Sequence, residues 1–312
     1  MKSINQLFAD NLKNYEEVVF TILNEKKNYQ KYQQLYHYTS LNTFQDIIRT
    51  NTLRATSIYM MNDPNELKLD YEPFLERVFK SIVVDKKFIH MYNNIYMFPA
   101  FSFSLTERED DMYFWDKYGD KHRGIRIGFT PQNFIDYWKI LEGIEVYLVP
   151  VIYQNYEGVY CGEYAKSFSE FQTNFINEIR EYFDAKEVID TDRNMISYYS
   201  AIIASMIKRE EWAIENEWRI ICIARGHVDE AINGCIVNGI PKVSIENTGL
   251  KTLELFVNTK EKGLAAKNIL KIGSLAENEE YIKYVLTLLF KHQTGVNYFN
   301  DNISRSIIQT RN

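Results

Sequence analysis

Two residues able to do chemistry stand in patterned surroundings, His37 and Glu217. "YHYTSLNTFQDIIRTNTLRATS" runs from Tyr36 to Ser57 and sets a histidine between two tyrosines, where an extended segment ends and a helical one begins. Imidazole titrates near neutral pH and both donates and accepts hydrogen bonds. The chain has five histidines, so the placement is selective. The alternative reading of His37 is a core or turn histidine satisfied by a backbone carbonyl. "NEWRII" (Asn216 to Ile221) sets a carboxylate into a strand-like run about 180 residues further on. If that strand alternates, Glu217, Arg219 and Ile221 share one face and Trp218, Ile220 and Cys222 the other. The alternative reading of this pair is a solvated ion pair on an edge strand.

Several other chemistries find no footing. There is no GxGxxG after a strand and no GxxxxGK[ST], so neither common phosphate-cradling loop is present, and GxSxG and HExxH are absent too. The three cysteines, Cys161, Cys222 and Cys235, form no CxxC pair, which reads neither as a disulfide framework nor as a metal site. "EREDD" (Glu107 to Asp111) reads as a solvated face. "NDPNE" (Asn62 to Glu66) reads as a turn closed by Asx bonding. Trp115, Tyr118 and Trp212 read as packing residues. His122 and Arg123 precede a strand.

The net charge of −6 argues against a non-specific nucleic-acid coat while leaving a local basic groove open. At the N-terminus Asp10 and Asn11 interrupt what would be the apolar run of a signal peptide. "YYSAIIASMI" (Tyr198 to Ile207), the most apolar stretch, is too short to span a bilayer. The expectation is a soluble, cytoplasmic protein with no membrane contact.

The elements that must position His37 and Glu217 follow from periodicity. Residues 3–34 carry Ile4, Leu7, Phe8, Leu12, Tyr15, Val18 and Val19 at a helical period. This predicts an N-terminal helix that covers the domain or contacts a partner. A strand at Leu35–Tyr38 leads into a helix at Leu41–Thr50, with Ser40 or Asn42 as its cap. A long helical stretch is expected at Leu67–Phe88. Strands are expected at Pro99–Leu105, Gly124–Phe129, Ile144–Tyr153, Asn216–Ala224, Gly234–Gly239 and Thr252–Val257. Short and long helices are expected at Glu109–Tyr118, Cys161–Val188, Asp192–Arg209 and Asn278–Lys291. Strands and helices mix without a regular βαβ alternation, which predicts an α+β fold. No linker divides the chain, so the expected organisation is an N-terminal helical extension (1–34), one domain (35–293) with a helical insertion at about 161–209, and a C-terminal tail (294–312).

The order His37, Tyr38, Thr39, then a helix with Ile47–Ile48, Asn51 and Leu53 resembles the first strand and helix of the ADP-ribosyltransferase fold of the His-Tyr-Glu type. "NEWRII" resembles the strand carrying that fold's catalytic glutamate. "FPAFSFSLTEREDDMYFWDKYG" resembles the strand and helix carrying its nicotinamide-stacking tyrosine. The whole order is also similar to domain-of-unknown-function family 2971. Its marks here are Tyr36–Ser40, Asn62–Pro64, Phe103–Ser104 with Trp115 and Tyr118, His122–Gly124, and Glu215–Arg219. This similarity covers about residues 35–290.

The first resemblance implies a split β-sheet with NAD⁺, as substrate, in its cleft and no metal. Glu217 would be the catalytic carboxylate. His37 would hold a ribose hydroxyl, assisted by Thr39 or Ser40, with Tyr38, Asn62 and Arg219 also in the binding set. Where the class has its stacking tyrosine, the nearest residues are Phe101 and Phe103, and Tyr38 stands where it has glycine. The implied reaction is transfer of ADP-ribose to a macromolecular acceptor, protein or nucleic acid, as in a bacterial toxin or antiphage effector. A homo-oligomer or a neutralising partner is left open. The alternatives are NAD⁺ hydrolysis and a non-catalytic nucleotide-binding or interaction module on the same fold.

Overall fold

The computed structural model describes residues 2–25, 35–50, 52–58, 61, 71–79, 100–129, 144–185, 189–224, 236–237, 240–246, 270–294 and 303–306. In chain order the first elements are α1 (Ile4–Glu25), β1 (Leu35–Thr39), α2 (Leu41–Thr50), β2 (Thr52–Ser57), α3 (Tyr71–Phe79), β3 (Ala100–Thr106), α4 (Met112–Lys117) and β4 (Ile125–Phe129). Next come β5 (Ile144–Pro150), β6 (Ile152–Gln154), β7 (Tyr160–Cys161), α5 (Ala165–Asp184), α6 (Asp190–Ala204) and β8 (Ile207–Arg209). A 3₁₀ turn (Glu210–Glu215) leads to β9 (Glu217–Ala224), followed by β10 (Ile236–Val237), β11 (Ile240–Glu246), β12 (Leu270–Ile272), α7 (Glu279–Thr294) and β13 (Ile303–Arg305). The fold is mixed α+β, and no described helix is long and apolar enough to cross a membrane. The expected turn at Asn62–Glu66 and strand at Thr252–Val257 lie outside the described residues.

The chain forms two compact units. The first comprises 1–29, 55–103 and 142–243, the second 30–54, 104–141 and 244–312. Each unit is assembled from segments far apart in sequence, so no composition shift marks the divisions.

In the first unit, α1 is a core element rather than an extension. Its Phe8, Leu12, Tyr15, Val19 and Leu23 are buried. Phe8 stacks on Tyr199 of α6 at 4.0 Å and meets Phe175 of α5 edge-on at 5.2 Å, while Tyr15 stacks on Phe171 at 5.2 Å. Aromatic pairs of this kind add about 0.5–1.5 kcal/mol each beyond the area they bury. The expected N-terminal extension and helical insertion are therefore one packed layer, with Asn11 Nδ2 donating to Glu178 Oε2 at 2.6 Å between α1 and α5. β5 and β9 pair antiparallel along their length, from Ile144↔Ala224 to Pro150↔Trp218. A small second sheet has β6 at its centre, antiparallel to β7 and parallel to β8.

In the second unit, β1 pairs antiparallel with β4 over five residues, and β4 with β12. β12 pairs parallel with β13. Tyr36 and Tyr38 project from one face of β1 into a cluster with Phe114 and Trp115. Ser40 caps α2: its Oγ accepts from Thr43 N–H at 3.1 Å. This satisfies one of the donors a helix start leaves open. Asp111 does the same for α4, accepting from Tyr113 N–H at 2.9 Å. Between α4 and β4, the non-glycine residues Asp120, Lys121 and His122 all have positive φ, at 50°, 50° and 66°. Each left-handed residue costs roughly 1–2 kcal/mol. Bonds from His122 N–H to Trp115 O, Gly124 N–H to Gly119 O and Leu275 N–H to His122 O hold the turn.

Candidate functional site

The residues singled out from sequence fall in both units. His37, Tyr38, Thr39 and Ser40 belong to the second, and Phe101, Phe103, Glu217 and Arg219 to the first. Asn62 lies outside the described residues. Each half has its own internal geometry.

β1 alternates, so His37 and Thr39 share the face opposite Tyr36 and Tyr38. His37 is half-buried, and its Nδ1 lies 2.9 Å from Ser104 O. A carbonyl only accepts, so Nδ1 carries the proton and donates. Burial pushes the imidazole down to about 4, against a smaller upward pull from the Ser104 bond. The ring is therefore neutral near pH 7, and Nε2 holds the accepting lone pair. The alternative of a histidine satisfied by a backbone carbonyl is met at Nδ1.

Tyr38 does different work. Its ring stacks on Phe114 at 5.3 Å and meets Trp115 edge-on at 5.0 Å. Its hydroxyl lies 2.8 Å from Glu109 O and 3.0 Å from Arg108 O, and accepts from Asp111 N–H at 3.3 Å. This is a core ring that fastens the loop before α4. Ser40 is occupied as the cap, and Thr39 is buried. Phe101 and Phe103 share one face of β3 and are buried.

Glu217 opens β9 inside a four-residue charge cluster. Its Oε1 accepts from Arg219 Nε at 3.0 Å, and its Oε2 from Lys208 Nζ at 2.9 Å and Arg219 Nη2 at 3.2 Å. Lys208 Nζ also donates to Glu215 Oε2 at 2.9 Å, and Arg219 Nη1 to Ser205 O at 2.9 Å. The Tyr153 hydroxyl accepts from Glu217 N–H at 2.9 Å, and burial followed by the Glu217 charge raises that phenol. Glu217 is 4% exposed and Arg219 0%, so the solvated ion pair expected as the alternative is ruled out. Two acids and two bases buried together are neutral in sum. Buried charges survive only when paired and hydrogen-bonded in this way.

Lys208, Glu215 and Tyr153 were not legible as partners of Glu217. Lys208 precedes Glu217 by nine residues across a 3₁₀ turn, and only its place in "KREEWAIENEWR" hinted at charge pairing. Among the remaining nucleophiles, Cys222 is buried, which pushes its thiol up to about 12 and makes it inert. His122 is buried with Nδ1 3.4 Å from Ser274 Oγ, stacked over Trp115. It helps hold the left-handed turn.

These features define a mixed α+β protein with a neutral imidazole on one unit's central strand and a neutralised carboxylate pair within the other. Residues 114–220 match the family model described as protein of unknown function (DUF2971). The matched stretch supports that family and takes in Trp115, His122–Gly124 and Glu215–Arg219, while Tyr36–Ser40 lies upstream of it. No curated protein and no solved structure matches the chain.

Proposed function

We propose that the protein is an ADP-ribosyltransferase that cleaves NAD⁺ and passes ADP-ribose to a macromolecular acceptor, in the manner of a bacterial toxin or antiphage effector. What supports this reading is His37 on β1, a neutral ring with its proton fixed on Nδ1 by Ser104 O, together with the fixed orientation of Glu217 on β9. The bond that breaks joins the ribose C1′ to the nicotinamide nitrogen, which keeps the electron pair. The acceptor's nucleophile bonds to C1′ and gives up its proton. Positive charge builds on the ribose in between, and a fixed carboxylate stabilises it. Glu217 is the residue for that role. Arg219 and Lys208 fix its orientation in advance of any substrate.

A second reading, a non-catalytic binding module, is favoured by one specific observation. Both Glu217 oxygens already accept bonds inside the protein. A carboxylate so engaged serves the fold first, and fold alone does not fix function. A third outcome, hydrolysis, requires only that water replace the acceptor.

The test is transfer of label from NAD⁺ carrying it on the adenylate half into the protein or nucleic acid of a cell lysate. Wild type is compared with His37→Gln and Glu217→Gln, all three checked for folding by thermal melts. Transfer by wild type and loss in both folded variants supports the transferase. Absence of label in every reaction, together with failure to bind NAD⁺ at millimolar concentration, overturns it.

A further inference from the structure

β8 sends two basic residues to opposite sides. Lys208 faces Glu215 and Glu217, and Arg209, one residue on, faces away from them. In the parallel ladder with β6, Tyr153 registers with Lys208 and Gln154 with Arg209, so each side of this small sheet is consistent. On the Arg209 side lies a cavity of about 470 Å³ whose walls include Arg77, Gln154, Tyr156, Arg209, Glu210 and Glu211. That volume is in the range of small-molecule sites, roughly 300–1,000 Å³.

One residue of the cavity wall, Arg209, carries an unmet donor. The Arg209 guanidinium rests over the Tyr156 ring, 5.5 Å from its centroid. Its Nε–H is buried with no acceptor among the described residues. Glu211, two residues away, is taken by the Tyr156 hydroxyl instead. A guanidinium stacked on an aromatic face keeps its N–H groups in plane along its edge, the geometry that grips carboxylate or phosphate oxygens. Orphaned buried donors are rare in folded proteins and ask for a partner. Arg77 supplies a second cation on the wall, with its guanidinium 5.7 Å from the Phe74 ring. Glu210 and Glu211 on the same wall would repel a polyanion, so the site suits one small oxyanion.

We propose that this cavity binds a small organic oxyanion, a carboxylate or a phosphate monoester, through the donor edge of Arg209. The body of the ligand lies beside Tyr156 and Gln154. This site shares no residue with the NAD⁺ reading, so the two stand or fall separately.

The test titrates the full chain with phenyl phosphate and with benzoate, following backbone amide shifts. The expected result is saturable binding of one probe with Kd on the order of 1 mM or tighter. Arg209→Gln then weakens binding about tenfold or more, a change of roughly 1.4 kcal/mol. Tyr156→Ala, at a ring 83% exposed and so harmless to folding, weakens it as well. The exposed Arg49→Gln leaves it unchanged. Preference for phenyl phosphate assigns a phosphate ligand, and preference for benzoate a carboxylate. Failure of both probes to saturate, or undiminished binding by Arg209→Gln, overturns the proposal.

Discussion

Arg219 grips Glu217, two residues before it on β9, through two bonds: Nε to Oε1 at 3.0 Å and Nη2 to Oε2 at 3.2 Å. Strand alternation puts the two on one face, and the planar guanidinium fits the carboxylate fork as an ammonium would not. Lys208 then links this pair to Glu215 and closes a neutral cluster. Fixed in this way, Glu217 carries both a folding role and the proposed catalytic one, and experiments have to separate them.

Lys208→Met is expected to lose about 3–5 kcal/mol, because it strands a negative charge in the interior. Lys208→Met combined with Glu215→Leu leaves the neutral Glu217–Arg219 pair, and so is expected to recover much of that loss. Urea unfolding of the two variants checks this. A single variant within about 1 kcal/mol of wild type would mean that the cluster is not held as described.

His37 predicts a pH dependence of stability. Its folded value, about 4, lies below the ordinary 6.5, so between those values the unfolded chain binds more protons. Stability from this residue is therefore fully present above pH 6.5 and is lost as pH falls towards 4. The full effect is at most roughly 3 kcal/mol. His37→Gln retains a donor for Ser104 O and removes the titration. The gap between wild type and this variant, measured by urea unfolding, is expected to shift towards the variant by about 2 kcal/mol from pH 7.5 to pH 4.5. An unchanged gap would contradict the half-buried, neutral ring.

The turn before β4 predicts opposite responses at neighbouring positions. A Cβ on Gly124 would lie 2.2 Å from Thr39 O, so Gly124→Ala must push β4 away from the end of β1. A loss of more than about 2 kcal/mol is expected. Lys121, by contrast, has φ of 50°, a conformation glycine adopts without steric cost. Lys121→Gly is expected to be neutral or stabilising by up to about 1 kcal/mol. Thermal melts of both variants test the geometry of the turn.

Much of the local fold was legible because it depends on local chemistry. Ser40 capping α2, the strands at Ala100–Thr106 and Glu217–Ala224, and the α+β mixture follow from alternation and from helix-start residues. The face of Tyr38 was legible too: period two sets it with Tyr36 and away from His37. Only its position in the motif that resembles the transferase fold sets it with the binding residues. The partners of Glu217 were not legible, because Lys208 reaches it only through the fold of β8 and the 3₁₀ turn. Nor was the role of α1, whose apolar face reads the same whether it meets a partner or the body of its own chain. Phe8 meets Tyr199, nearly two hundred residues away.

Nicotinamide release from NAD⁺ by the purified protein tests the central claim most directly. It is run with and without lysate, beside Glu217→Gln verified as folded by its melt. The transferase reading predicts release that depends on a lysate component and disappears in the folded Glu217→Gln protein. Release by neither protein under any condition, or equal release by both, would contradict it.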